Sequence, residues 1–190
     1  MQTHLRLLLA AAALGSIGAL SLVLPLGSSA PVPTAGAAQV DYFLKIEGVD
    51  GESTDPGHRN EIEIESFSWG VTMPRDAATG MATGRRQHKP LTIKKTIDKA
   101  SPLLARAAAM GDNMKKVVLT GRDPSGHEFE IASFFDVFVS DFMQNGDQGS
   151  RPMESLSLNF QKIEFSYIPK GADGKAGTPI VRGWDLAKGK

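Results

Sequence analysis

Two stretches of this chain alternate apolar and polar residues and then change phase partway along. In "NEIEIESFSWG" (Asn60–Gly70), Ile62 and Ile64 share one parity, while Phe67 and Trp69 share the other. In "MESLSLNFQKIEFSYIP" (Met153–Pro169), Leu156, Leu158 and Phe160 are even, whereas Ile163, Phe165 and Tyr167 are odd. Side chains on a strand alternate faces, so one register cannot keep both sets on one side. A single extra residue, near Glu65–Ser66 and again near Gln161–Lys162, restores one apolar face, as a β-bulge does. Long strands that slip phase are bent strands, and bent strands belong in small barrels or orthogonal sandwiches.

The rest of the domain has the same period. "VDYFLKIE" (Val40–Glu47) reads as a strand ending in the turn-rich "GVDGESTDPGH". "LTIKKTI" (Leu91–Ile97) is another, and "KKVVLTGRD", "PSG" and "HEFEIASFFDVFVSDF" read as a hairpin. A polar loop, "MQNGDQGSRP", precedes the second slipping strand, and the glycine-rich tail holds one short strand ending near Trp184. Between Met73 and Pro90 there is no period and little to bury, so this is expected as a long loop, of the kind that is functional or disordered. One helix is expected, with Ser101 as N-cap, Pro102 at N1 and Gly111 closing it, and with Leu103, Leu104, Ala107 and Met110 as its apolar stripe. It is too short to hold without packing on the sheet.

Residues 1–38 differ from the remainder. Arg6 precedes an apolar run, Leu7–Leu26, and a small-residue exit in which Ala35 and Ala37 sit at −3 and −1 of a cut before Ala38, with a cut before Gln39 the near equal. That order describes a secretory signal peptide. The run is also long enough to span a bilayer as an uncleaved anchor, which is the alternative. The expected division is therefore 1–38, signal or anchor, and 39–190, a β domain; the membrane is reached only through residues 7–26.

Composition excludes much. Lys+Arg and Asp+Glu are both 21, which gives no reason to expect nucleic acid or an anionic membrane as partner. With no cysteine, disulfides, thiolate metal sites and cysteine nucleophiles are excluded. His4, His58, His88 and His127 lack metal-ligand spacing, no nucleophile elbow or phosphate loop occurs, and no cofactor is expected. Glu61, Glu63 and Glu65 on one strand face are conceivable acid/base carboxylates of a hydrolase, but lysines and glutamates alternate with apolar residues throughout, as in "LTIKKTI". A solvated strand face is the better reading. "GRRQHK" (Gly84–Lys89) could touch phosphate, or form a solvated loop or one side of a protein contact. Phe67, Trp69 and Trp184 are expected as core or interface anchors.

"DYFLKIEGVDGESTDPGHRNEIEIESFSWG" (Asp41–Gly70), "KKTIDKASPLL" (Lys94–Leu104) and "SLNFQKIEFSYIP" with "DG…GTPIVRGWD" (Ser157–Asp185) together resemble the Hcp proteins, tube-forming subunits of bacterial type VI secretion systems. The resemblance runs in order from about Val40 to Asp185. It implies a mainly β fold: a small β-barrel of two antiparallel sheets with one short α-helix at its side. It implies a non-enzymatic subunit that forms six-membered rings and stacked tubes, with a spike protein, a contractile sheath and effector cargo as partners. The loop, here Met73–Lys89, would reach neighbouring subunits, with Arg75, Asp76, Arg85 and Arg86 as its polar contacts. Family members assemble in the cytoplasm and leave by contraction, whereas the segment 1–38 resembles an address for the general secretion route. The alternative is thus an exported binding or adhesion module of the same fold.

Overall fold

The computed structural model describes residues 39–189; the signal-or-anchor segment expected over 1–38 lies outside the described residues. The strands in chain order are β1 (Asp41–Ile46), β2 (Ile62–Ile64), β3 (Ser66–Thr72), β4 (Gln87–Thr96), β5 (Asn113–Arg122), β6 (Glu128–Asn145), β7 (Met153–Asn159), β8 (Lys162–Tyr167) and β9 (Ile180–Asp185). The helix α1 (Ser101–Met110) falls between β4 and β5. Every pairing is antiparallel, in the order β2-β1-β5-β6-β7-β4-β3, with β8 pairing β6 and β9.

The ends of that order meet, because β2 and β3 are consecutive. Only Glu65 separates them, and its N–H bonds the Lys94 carbonyl at 2.8 Å. β2 pairs with β1 and β3 with β4, so the chain itself closes the barrel by changing partners. This is the cause of the first phase slip. Ile62 and Ile64 point inward on one partner, and Phe67 and Trp69 pack against the same core on the other. The second slip lies at Phe160–Gln161. There the chain bends from β7 into β8 while both follow one edge of the long β6, and the Gln161 N–H bonds Phe135 O at 3.0 Å. Phe160 and Ile163 are buried, Phe165 is half-buried, and Tyr167 emerges into solvent.

The core is mainly aliphatic around the aromatic ring of Phe134, with Leu44, Ile62, Leu91, Val117, Leu119, Phe134 and Leu156 fully buried. Each such side chain contributes about 1.5–3 kcal/mol by leaving water.

Three local expectations need correcting. The N-cap is Ala100, not Ser101: Ser101 is already helical, its hydroxyl turned into the core, while Asp98 accepts the Ala100 N–H at 2.9 Å. Gly111 does close the helix, at φ 70°. The buried stripe of α1 is Ser101, Leu104 and Ala107; Leu103 and Met110 face solvent. Finally, β4 begins at Gln87 rather than Leu91, so Pro90 lies inside a strand. It is tolerated there because the β3–β4 ladder slips between Ser68 and Gly70, and a bulge needs no N–H from proline.

Candidate functional site

Beyond Thr72 the chain leaves the barrel as a projecting hairpin. Thr83 N–H bonds Pro74 O (3.0 Å), Asp76 N–H bonds Met81 O (2.8 Å), and Arg75 pairs with Ala82. Its turn is built by Asp76, whose carboxylate accepts the Ala78 and Thr79 N–H groups (3.1 and 2.8 Å) and the Thr79 hydroxyl (2.9 Å). Those hydrogen bonds hold the Asp76 carboxyl below the usual carboxylate range. Gly80 takes φ 70°, and its carbonyl accepts from Arg75 at 2.9 Å. The hairpin is therefore ordered by its own bonds, yet residues 75–87 are all exposed, Met81 by 70%.

At the foot of the hairpin the sheet forks. β4 pairs with β7 only as far as Leu91↔Leu158; past the bend at Phe160–Gln161 the chain pairs with β9 instead. The first residues of β4 and the end of β3 thus separate from β8 and β9. A groove of about 480 Å³ opens between them, lined by Trp69, Val71, Met73, His88, Phe165 and Trp184, with Arg86 and Arg182 at its rim. The Trp69 and Phe165 rings lie 6.0 Å apart, and the Arg86 guanidinium sits 3.6 Å above the Trp184 ring. Both ring nitrogens of His88 are buried without a hydrogen-bond partner. Burial, together with the nearby Arg86 charge, pushes the His88 pKa down.

The sequence-based candidates separate here. Arg75 and Asp76 are organisers of the hairpin itself. Arg85 is exposed, and Arg86 is laid across Trp184. Trp69 and Trp184 flank the fork, whereas Phe67 packs edge-on against Tyr42 (5.0 Å), joining β3 to β1. Of the three glutamates, Glu61 is tied to His58 Nδ1 at 2.9 Å, Glu65 accepts the Thr96 hydroxyl at 3.0 Å, and Glu63 is exposed; they do not converge on one point. His58 also stacks on Phe43, and His127 bonds Ile168 O, so both are parts of the scaffold. Among the described residues, no group of three or more His, Asp or Glu is placed to hold a metal.

One polar cluster was not foreseen. Lys95, in the "LTIKKTI" read as having a solvated polar face, follows Leu91 and Ile93 inward and is fully buried opposite Glu154. Its ammonium donates to Glu154 (2.9 Å), Asp98 (2.7 Å), Ser101 (3.1 Å) and Thr96 O (2.9 Å). Glu154 also accepts from the Ser101 hydroxyl (2.7 Å) and Gln144 (2.9 Å). Burial pushes the Glu154 carboxyl up, but the bonds from Lys95 and Ser101 outweigh it and leave the pKa lowered. The signal was available in the phase: Lys95 shares parity with Leu91 and Ile93, and Glu154 with Leu156 and Leu158.

Residues 43–167 match the family model described as "Type VI secretion system effector, Hcp". Protein hcp1 of Pseudomonas aeruginosa is 34% identical over 156 residues, covering 77% of this chain and 95% of that protein. The Major exported protein of the same organism is 28% identical over 159 residues, covering 78% and 88%. A solved structure described as a type six secretion system protein superposes with a TM-score of 0.75 at 32% identity, covering 80% of this chain and 99% of that one.

Proposed function

Because the chain belongs to the Hcp family of type VI secretion proteins, we propose that it acts as a non-enzymatic, ring-forming structural subunit whose rings stack into a conduit. The observation that carries this reading is the hairpin: a segment rigid through its own hydrogen bonds but with its side chains unburied in its own subunit. Exposed apolar surface on a pre-ordered element marks a contact with another molecule. In a closed ring such a contact is heterologous, one patch meeting a different one. On this reading six copies close a ring, Arg85 and Arg86 supply polar contacts at the hairpin's foot, Arg75 and Asp76 keep its tip in shape, and Phe67, Trp69 and Trp184 anchor the wall behind it. A spike protein, a contractile sheath and effector cargo would be its further partners.

A second reading rests on the apolar run Leu7–Leu26. If 1–38 directs export and 39–190 works alone, the domain is an exported binding or adhesion module. The relative named Major exported protein makes an extracytoplasmic fate reasonable for either reading. Native mass spectrometry of the protein separates the two. A discrete six-fold species that disappears when residues 76–82 are replaced by a short glycine turn supports the ring; a monomer at all concentrations supports the module.

A further inference from the structure

Asn145 and Gly146 form the one asparagine–glycine step in the chain; Asn60, Asn113 and Asn159 are followed by Glu61, Met114 and Phe160. Asn145 is exposed and is the last ladder residue of β6, opposite Met153, while Gly146 belongs to no strand. The fold does not require a glycine at 146. Its backbone stays out of the left-handed region, and a Cβ there would meet nothing nearer than the Pro152 ring, at an ordinary 3.7 Å. What the missing side chain leaves open is the approach to the Gly146 nitrogen. Among the described residues, neither the Gly146 N–H nor the Asn145 side-chain amide has a hydrogen-bond partner. An unbonded backbone nitrogen next to an unbonded side-chain amide is a pair that can react.

We propose that Asn145–Gly146 is a site of spontaneous covalent modification, closing to a succinimide and opening to isoaspartate. The Gly146 nitrogen attacks the Asn145 Cγ. The new N–Cγ bond closes a five-membered ring, the bond from Cγ to the side-chain nitrogen breaks, and the proton lost by Gly146 leaves with the departing ammonia. Water then opens the ring. Attack at Cγ gives aspartate; attack at the main-chain carbonyl carbon gives isoaspartate, in which the chain runs through the old side chain. Water is the one co-reactant, and nothing is oxidised or reduced. Two aspartate–glycine steps could close the same ring, but their nitrogens are tied: Gly51 N–H bonds Asn60 O (2.8 Å), and Gly174 N–H bonds Gly171 O (2.9 Å). The product lengthens the main chain by one methylene at the end of the β6–β7 ladder and adds a carboxylate beside Asp147. Gln144, the preceding residue, is one of the three donors to the buried Glu154, and Pro152 O across the loop holds the Ile97 N–H at 3.0 Å. The modification therefore reaches from an exposed loop to the buried cluster.

The test is to age the full chain in neutral buffer at body temperature and sample it over weeks. Two readouts are followed: amide-to-acid conversion at Asn145 by peptide mass spectrometry, and methyl uptake from S-adenosylmethionine by an isoaspartyl methyltransferase. Both should rise together, on the peptide that holds Asn145. Gly146→Ala, which the open space beside Pro152 accommodates, should lose most of both signals, and Asn145→Gln should lose them entirely. An aged wild type with no conversion at Asn145 overturns the proposal. So does methyl uptake that maps to Asp50 or Asp173 instead, and so does an equal rate in Gly146→Ala. The reach to the cluster has its own readout. The Ile97 amide should exchange faster in the aged protein than in the fresh one, and Asn145→Asp, which adds the charge without lengthening the chain, should leave it slow. Exchange at Ile97 that does not change with age overturns that link. None of these outcomes depends on whether rings form.

Discussion

The Lys95–Glu154 cluster and the sheet fork are opposite solutions to one problem. In the first, two charges are buried under α1, and both are answered: the ammonium by four acceptors, Asp98 among them, and the carboxylate by Lys95, Ser101 and Gln144. In the second, apolar side chains reach solvent, and both nitrogens of the half-buried His88 ring are buried without a partner among the described residues. The cluster is complete within the subunit, so its role ends with fixing the helix against the sheet. The fork is incomplete within the subunit, and incompleteness is what a partner can act on.

The largest effect should come from breaking the complete site. Glu154→Leu leaves the buried Lys95 ammonium with Asp98 as its one remaining carboxylate partner, and removing one member of a buried ion-pair cluster costs up to about 3–5 kcal/mol. Denaturant titration should show this as a lower midpoint with an unchanged slope. Adding Lys95→Met should recover part of the loss, since it removes the under-compensated ammonium and leaves only the partly exposed Asp98 to find solvent; a double variant as unstable as the single would mean that the cluster holds the helix by geometry as well as charge.

A smaller and opposite effect is expected at the fork. His88→Leu removes two unpaired nitrogens and should stabilise the isolated subunit by about 1 kcal/mol. The pH dependence has a definite sign. The folded-state pKa of His88 is lowered, so its contribution is whole above the ordinary histidine value (about 6.5) and is lost as pH falls through the lowered folded value. Melting curves across that window should slope in the wild type and flatten in His88→Leu; equal slopes would show that another group titrates there.

The smallest effect on the fold should come from the hairpin. Asp76→Ala removes three hydrogen bonds from the turn, so the Ala78 and Thr79 amides should exchange faster while global unfolding stays where it was. Acid should do the same below the ordinary carboxylate range, because the Asp76 carboxyl is held below it. A shift in global unfolding would show that the hairpin is coupled to the barrel.

The barrel was legible because parity is a strict code: Ile62, Ile64, Leu156 and Leu158 announce an inward face, and the slips at Glu65 and Phe160 announce where it bends. Register explains the bends only after pairing is known. No count along the sequence reveals that β2 and β3 serve different neighbours, or that β8 keeps β6 but takes β9 where β7 had β4. The start of β4 was hidden by Pro90 and the basic run before it, because the bulge that excuses the proline, where Pro90 and Leu91 together face Trp69, shows only once β3 is paired with β4. Arg86 and Trp184 meet only through tertiary folding, so their stack left no local trace. Ser101 resembled a cap because serine favours that position, but the demand of Glu154 for a donor outweighed the local preference.

The joint at Glu65 has a mechanical meaning. Any force that pulls β1 away from β4 runs lengthwise through the peptide bonds between Ile64 and Ser66, which do not yield. What yields is the ladder on the shorter side: β2 holds β1 through Tyr42↔Ile64, Phe43↔Glu63 and Leu44↔Ile62, helped by the Phe67–Tyr42 ring contact. The wall is a belt whose strap is unbreakable and whose buckle is two buried isoleucines. When this barrel loosens, it should come undone at Ile62 and Ile64, long before any seam in the broad β5–β6–β7 wall gives way.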